Sequence, residues 1–252
     1  MTEIRLLLAA VQYFTRIRVP AWVGHSQQGL AGAARYFPAI GLLVGASGAA
    51  TLWLASLVLP APLPAILSLL VTILMTGAIH EDGLADTCDG LGSATTRERA
   101  LEIMKDPRIG AFGAIALVLA VLLKVAALSL MPVSTAMAAL VAAHAFSRFC
   151  AVLVIAAGNY VGSGERSRAA PVVDRTKMSD VLIASSFALP ALVLCGRNAI
   201  AAAIVALALA ALLFRWCVRR IGGYTGDTLG ATQQLTEIGF YVALLAAQTH
   251  PL

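Results

Sequence analysis

Between Glu81 and Asp89 four carboxylates stand within nine residues, in a chain that is 60% hydrophobic and only 12% charged. Asp82, Asp86 and Asp89 are spaced i, i+4 and i+7, which on a helix places them within roughly 60° of one face. Three carboxylates on one stripe repel one another unless a cation sits between them. A hard divalent metal bound through oxygen, shared with a substrate phosphate, is the counter-charge such a stripe suits. A solvated acidic helix end is the plainer reading. Direct attachment of the acids to an apolar run argues against it. Glu81 falls about 80–120° off the stripe and joins it only if the helix unwinds. His80 reads as a boundary residue as much as a functional one.

Other residues extend the candidate site. Asp106, beyond a short polar stretch, is placed to fold back and complete a second metal position. Two metals about 4 Å apart suit displacement at phosphorus. Lys105 and Arg108 flank Asp106, and Arg166, Arg168, Arg175 and Lys177 lie on a later basic loop. Arginine forks and lysine point charges both suit diphosphates, although each basic residue also serves to fix topology. A third stretch, Gly222 to Gly230, brings Gly226 and Asp227 to a glycine turn ahead of a helix, where backbone N–H groups can bind phosphate. Asp227 is a candidate base or further ligand. Arg148, beside His144 within an apolar run, is costly to bury unpaired and calls for a partner in the bundle.

The elements that must position these residues are helices in a membrane. The 252-residue chain has a mean hydropathy of +0.86 and long apolar runs, so it reads as all-α, a single integral membrane domain over 1–252. Spans are expected at about 39–60, 63–80, 111–131, 134–157, 181–195, 198–214 and 237–249, with polar loops at 158–180 and 215–236. A short polar helix is expected over 96–108. No signal peptide is read at the N-terminus, where residues 3–18 suit an interfacial helix. Gly41, Gly45 and Gly48 read as close helix packing.

Of the eighteen Lys and Arg residues, all but Lys124, Arg148 and Arg197 fall in the N-terminal segment or in segments 80–109, 158–180 and 215–236. Seven spans with a cytoplasmic N-terminus put those segments, and every Asp and Glu, on one side. The motif at 80–113 is then cytoplasmic. The net charge of +5 is topology rather than nucleic-acid binding, since no aromatic-rich basic module accompanies it. Cys88, Cys150, Cys195 and Cys217 are far apart, and neither a disulfide nor a zinc site is assigned.

The run from His80 to Gly90, with Glu102–Asp106, Gly110, Gly113 and Gly226–Ala231, strongly resembles the signature of the cobalamin-5′-phosphate synthase (adenosylcobinamide-GDP ribazoletransferase) family. Phe14-Thr15-Arg16 and Phe37-Pro38 are also similar, and the likeness covers essentially the whole chain. The resemblance implies a magnesium-dependent, multi-pass enzyme of the bacterial inner membrane acting in the last steps of cobalamin assembly. It would join adenosylcobinamide-GDP to α-ribazole or its 5′-phosphate and release GMP. It further implies metal at Asp82, Asp86, Asp89 and Asp106, phosphate clamping by Lys105 and Arg108, and proton acceptance by a carboxylate such as Glu81 or Asp227, with Asp82 also counted among the catalytic residues. Arg166, Arg168 and Gly226 are further substrate-binding candidates. Partners are then the two substrates and the lipid bilayer, with assembly into a homo-oligomer left open.

A broader likeness is to the CDP-alcohol phosphotransferases, whose DxxDG start is matched by Asp86 and Asp89-Gly90. The match ends there, because Ser93-Ala94 and Ala111 depart from their pattern. A polyprenyl transferase uses the same metal–diphosphate logic. A cation-coupled transporter is the alternative from another class, disfavoured because the acids cluster at span ends rather than at the midplane.

Overall fold

A computed structural model describes residues 2–24, 32–162 and 176–249. Within them, ten α-helices follow in order: α1 (Glu3–Phe14), α2 (Phe37–Ser56), α3 (Leu63–Thr76), α4 (Ile79–Ser93), α5 (Arg97–Ile103), α6 (Ala111–Leu130), α7 (Val133–Ala157), α8 (Met178–Leu192), α9 (Ala199–Ile221) and α10 (Gly226–Thr249). The described residues contain no strand beyond an isolated parallel bridge between Tyr160 and Tyr224. The all-α membrane bundle is as expected.

The middle of the bundle is α7. Its alanines Ala139, Ala142, Ala143 and Ala145 are fully buried, and small residues let neighbouring backbones come close. The contact with α2 is close: a Cβ at Gly41 would run into the carbonyl oxygen of His144, and one at Gly45 would lie 2.6 Å from that of Leu140. The packing role read for the α2 glycines holds. Around this centre α6 turns Ile115, Val118, Leu119 and Leu122 outward, each more than half exposed. An apolar stripe of that kind suits lipid, not water.

Among the described residues, four helical runs are long and apolar enough to cross a membrane: Ala34–Ser56, Ala111–Leu130, Val133–Ala157 and Met178–Ile221, with α3–α4 a fifth if that bent pair is one broken span. The expectation was seven. Part of the difference is that Met178–Ile221 is 44 residues long, about twice what one crossing needs. It breaks at Gly196, whose φ is 61°, at the Gly196-Arg197 division made in the sequence. The rest comes from α3, whose 14 residues reach only about 21 Å, and from α10, which is too polar to count.

The sequence misplaced α10. The stretch 226–236, expected as loop, is helix, and Thr228, Thr232, Gln233, Gln234, Thr236 and Glu237 on it are all buried. Its hydroxyls bond back along the helix, Thr232 and Thr236 to the carbonyls four residues earlier at 2.7 Å. The N-terminal helix ends at Phe14 rather than near 18, and α5 ends at Ile103, so Asp106 lies past the polar helix rather than on it. The four cysteines are free thiols.

One turn orients the acidic helix. At the end of α3 the N–H of Gly77 donates to Leu74 O (3.3 Å) and that of Ala78 to Ile73 O (3.0 Å), the pattern of a Schellman cap. Gly77 and then Ala78 take positive φ, 66° and 58°. A left-handed alanine costs roughly 1–2 kcal/mol, and it swings α4 by 88° from the line of α3. The acids are therefore carried across the end of the bundle instead of continuing α3 through it.

Candidate active site between α4 and α10

Two helices meet at glycines to form the site. A Cβ at Gly83 of α4 would stand 2.7 Å from the Asp227 carbonyl oxygen and 3.2 Å from the Gly230 Cα. Only bare backbone permits α4 and α10 to touch there. The contact places Asp82, at the start of α4, and Asp227, in the first turn of α10, on one cavity of about 670 Å³. Gly226, Lys105, His80, Arg148 and Gln233 line it too, with Phe14, Phe37 and Tyr160 supplying aromatic wall.

The first turn of α10 is held by a reciprocal cap. The Thr225 N–H donates to Thr228 Oγ1 (2.8 Å), and the Thr228 N–H donates to Thr225 Oγ1 (3.2 Å), the logic of a capping box. The preceding backbone is pinned to the chain after α7, Tyr224 N–H to Asn159 O and Val161 N–H to Tyr224 O, both 2.9 Å. This fixes the N-terminus of a 24-residue helix on the cavity, where its dipole favours negative charge. The glycine-turn expectation for Gly226 and Asp227 is met in placement.

Electrostatically the acids are crowded. Burial pushes the Asp86 carboxyl up to about 7, and the charges of Asp82, Asp227 and Asp89 add to the rise. This helix end stands at a right angle to α3 and outside the apolar runs. Burial likewise raises the Asp227 carboxyl, with the Asp82 charge adding to the rise, while the Thr225 hydroxyl and the Lys105 ammonium oppose it. Asp82 is exposed, and its carboxylate accepts a hydrogen bond from no described residue.

The expected four-acid set is not assembled. Asp89 is buried and spends both oxygens on the next helix, accepting from the Gly110 N–H (2.7 Å) and the Gly113 N–H (2.9 Å). Its carboxylate occupies the space a side chain at either glycine would need, so those two glycines serve Asp89. Asp106 is clamped by Arg108, Nε to Oδ1 at 2.9 Å and Nη2 to Oδ2 at 2.7 Å. That pairing holds the Asp106 carboxyl down to about 2. Neither residue of the pair lines the cavity. Glu81 points along α10, accepting from Gln234 Nε2 at 3.0 Å; the helix does not unwind, and Glu81 stays off the stripe. Arg166 and Arg168 lie outside the described residues, as does Arg175.

Among the described residues no three His, Cys, Asp or Glu side chains gather into a metal-holding group. The carboxylates around the α4 start still fit magnesium. They offer only oxygens, they repel one another, and magnesium is ordinarily held by one or two carboxylates plus substrate phosphates. Asp82, on the cavity, answers that description together with Asp86, one turn further along α4 and outside the cavity lining.

Sequence reasoning left the polar interior unassigned. Gln233 Nε2 donates to Glu237 Oε2 (2.5 Å) and to Ser147 Oγ (3.2 Å), and Glu237 pairs with Lys124 at 2.9 Å. Glu237 thus lies inside the bundle, not on the polar face with the other acids. A signal existed: Thr228, Thr232 and Thr236, and Gln233 with Glu237, recur every four residues, the spacing of one helix face.

A sequence model described as cobalamin-5-phosphate synthase matches residues 6–245. The chain belongs to that family. The adenosylcobinamide-GDP ribazoletransferase of Ralstonia pickettii is 51% identical over 244 residues, covering 95% of this chain and 94% of that one. Proteins with the same name from Leptothrix cholodnii and Shewanella amazonensis are each 44% identical, over 97% and 96% of this chain and 96% and 95% of theirs. No solved structure matches the chain.

Proposed function

We propose that the chain is a membrane-embedded adenosylcobinamide-GDP ribazoletransferase, joining adenosylcobinamide-GDP to α-ribazole or its 5′-phosphate and releasing GMP. The observation that carries this reading, beside family membership, is the cavity that sets Asp82 and Asp227 beside Lys105 at the N-terminus of α10. A diphosphate needs cationic and N–H groups around it. An attacking hydroxyl needs a proton acceptor within reach.

In this reading a ribose hydroxyl of α-ribazole attacks the phosphorus joined to cobinamide. The new P–O bond forms as the bond to GMP breaks, and the electron pair leaves on the GMP phosphate. Asp227 takes the hydroxyl proton; its raised affinity for protons and its place on the cavity favour it over Glu81, which is held by Gln234. Lys105 and the first turn of α10 face the phosphate oxygens. Asp82 and Asp86 would hold Mg²⁺, which when bound neutralises diphosphate charge. Asp89 and Asp106 act through the fold, the one by tying α4 to α6 and the other through Arg108.

The distribution of basic residues supports a multi-pass protein of the bacterial inner membrane with seven crossings, its N-terminus and site on the cytoplasmic side. The reaction is tested by following GMP release from purified protein given both substrates and Mg²⁺. Turnover with a CDP-alcohol donor instead would replace this reading with the lipid-type transferase.

A further inference from the structure

The cavity is lined by a buried cation that has no anion within ion-pair distance among the described residues. Arg148, on the central helix α7, is 2% exposed and lines the cavity. Among the described residues its hydrogen bonds go only to His144, from Nη1 to the carbonyl oxygen at 3.0 Å and between Nη1 and ring Nδ1 at 3.2 Å. Its Nε is buried without a partner. The carboxylate that could have neutralised it is taken: Glu237 is paired with Lys124 and bonded by Gln233. Glu237 and Glu81 act on Arg148 only from beyond ion-pair distance.

A buried guanidinium left in that condition is expensive, because its charge has given up water and no described carboxylate lies within ion-pair distance of it. Beside it on the cavity stands a second such group. His80 is 4% exposed, stacks on Phe14 with ring centroids 5.6 Å apart, and has no partner for Nε2. Two buried nitrogens without an acceptor, Arg148 Nε and His80 Nε2, on residues that line one substrate-sized cavity describe a receptor awaiting an acceptor. Guanidinium geometry suits a phosphate best.

We infer that Arg148, with His80 beside it, binds a phosphate oxyanion of substrate in the cavity that Asp82 and Asp227 also line. The inference rests on the proposed transfer for its ligands. These offer the same chemistry from two sources, the diphosphate of adenosylcobinamide-GDP and the 5′-phosphate of α-ribazole 5′-phosphate.

The test uses full-length protein in detergent, wild type against R148K and R148Q, with melting as the check on folding. Binding of inorganic pyrophosphate and of GMP should weaken about ten- to a hundredfold in R148Q, the worth of a charge-assisted contact, and less in R148K. If R148Q does not fold, R148K carries the comparison. In turnover, a KM raised for α-ribazole 5′-phosphate but not for α-ribazole assigns the arginine to the 5′-phosphate. A KM raised for adenosylcobinamide-GDP with either acceptor assigns it to the diphosphate. Folded variants with wild-type anion binding and wild-type KM values overturn the inference. A wild type that binds pyrophosphate through Arg148 yet releases no GMP would sink the proposed reaction and leave the anion site standing.

Discussion

Glu237 Oε1 and Lys124 Nζ lie 2.9 Å apart with their side chains 1% and 3% exposed, joining the middle of α10 to the middle of α6. Removing one partner leaves the other charge buried and alone, which costs about 3–5 kcal/mol. K124M should therefore lower stability by about that much. Replacing both partners with apolar residues, K124M/E237L, should recover most of the loss. Denaturation in detergent reads both; equal loss in the single and double variants would show that the pair is not what Lys124 contributes.

Asp82 and Asp89 sit two turns apart on α4 and should part company under mutation. D89A leaves the half-buried Gly110 N–H and the buried Gly113 N–H unpaired, a loss of about 1–3 kcal/mol for the buried one and less for the other. Its activity should fall with the folded fraction. D82N removes an exposed carboxylate without a described partner, so melting should be unchanged while turnover falls by about a hundredfold or more. Matched melting and turnover measurements on the two variants check this.

The same contrast shows what could be read from the sequence. Spacing alone put Asp82, Asp86 and Asp89 on one helix face, and the helix is there. Spacing could not tell that Asp89 would be spent on Gly110 and Gly113, because that bond links residues more than twenty positions apart. Asp106 is drawn into the site by its nearness along the chain and by the family resemblance, and in the structure its carboxylate is taken up by Arg108. The apolar helices were legible because lipid and bundle core both demand continuous hydrophobic runs. The first half of α10 was not, because its polarity is satisfied inside the bundle by Lys124, Ser147 and Glu81, residues on three other helices. A rule that equates polar with loop fails wherever polar side chains find partners in the core.

Asp227 sets the expected pH dependence. Burial and the Asp82 charge raise its folded pKa, with Thr225 and Lys105 opposing, so it is protonated at pH values where an ordinary carboxyl is ionised. A proton acceptor works only when ionised. The rate should rise with pH through an apparent pKa above the usual carboxylate range of about 3.9. K105M removes an opposing positive charge and should move that limb further alkaline. The same sign governs stability: protonated Asp227 favours the folded state, a contribution present at low pH and lost as pH rises through the folded value. D227N should abolish turnover and remove this stability dependence together.

Gly83 spaces the two catalytic walls. A methyl group there would press on the Asp227 carbonyl and the Gly230 Cα, both backbone, so the helices must separate. G83A should cost about 1–3 kcal/mol, and turnover should fall further than stability explains, since the distance from Asp82 to Asp227 is set at this contact. Rates measured at a temperature where the variant is fully folded isolate that excess.

The central claim is that the cavity between α4 and α10 transfers a phosphoryl-linked group from adenosylcobinamide-GDP to α-ribazole. The most direct measurement is the stoichiometry of GMP released to adenosylcobalamin (or its 5′-phosphate) formed by purified wild-type protein with Mg²⁺, alongside D82N and D227N. Transfer at this cavity requires equal amounts of the two products, no GMP when the ribazole is omitted, product from folded D82N lowered about a hundredfold or more, and none from folded D227N. Folded wild-type protein that releases no GMP, or variants that match it in rate, would contradict the account.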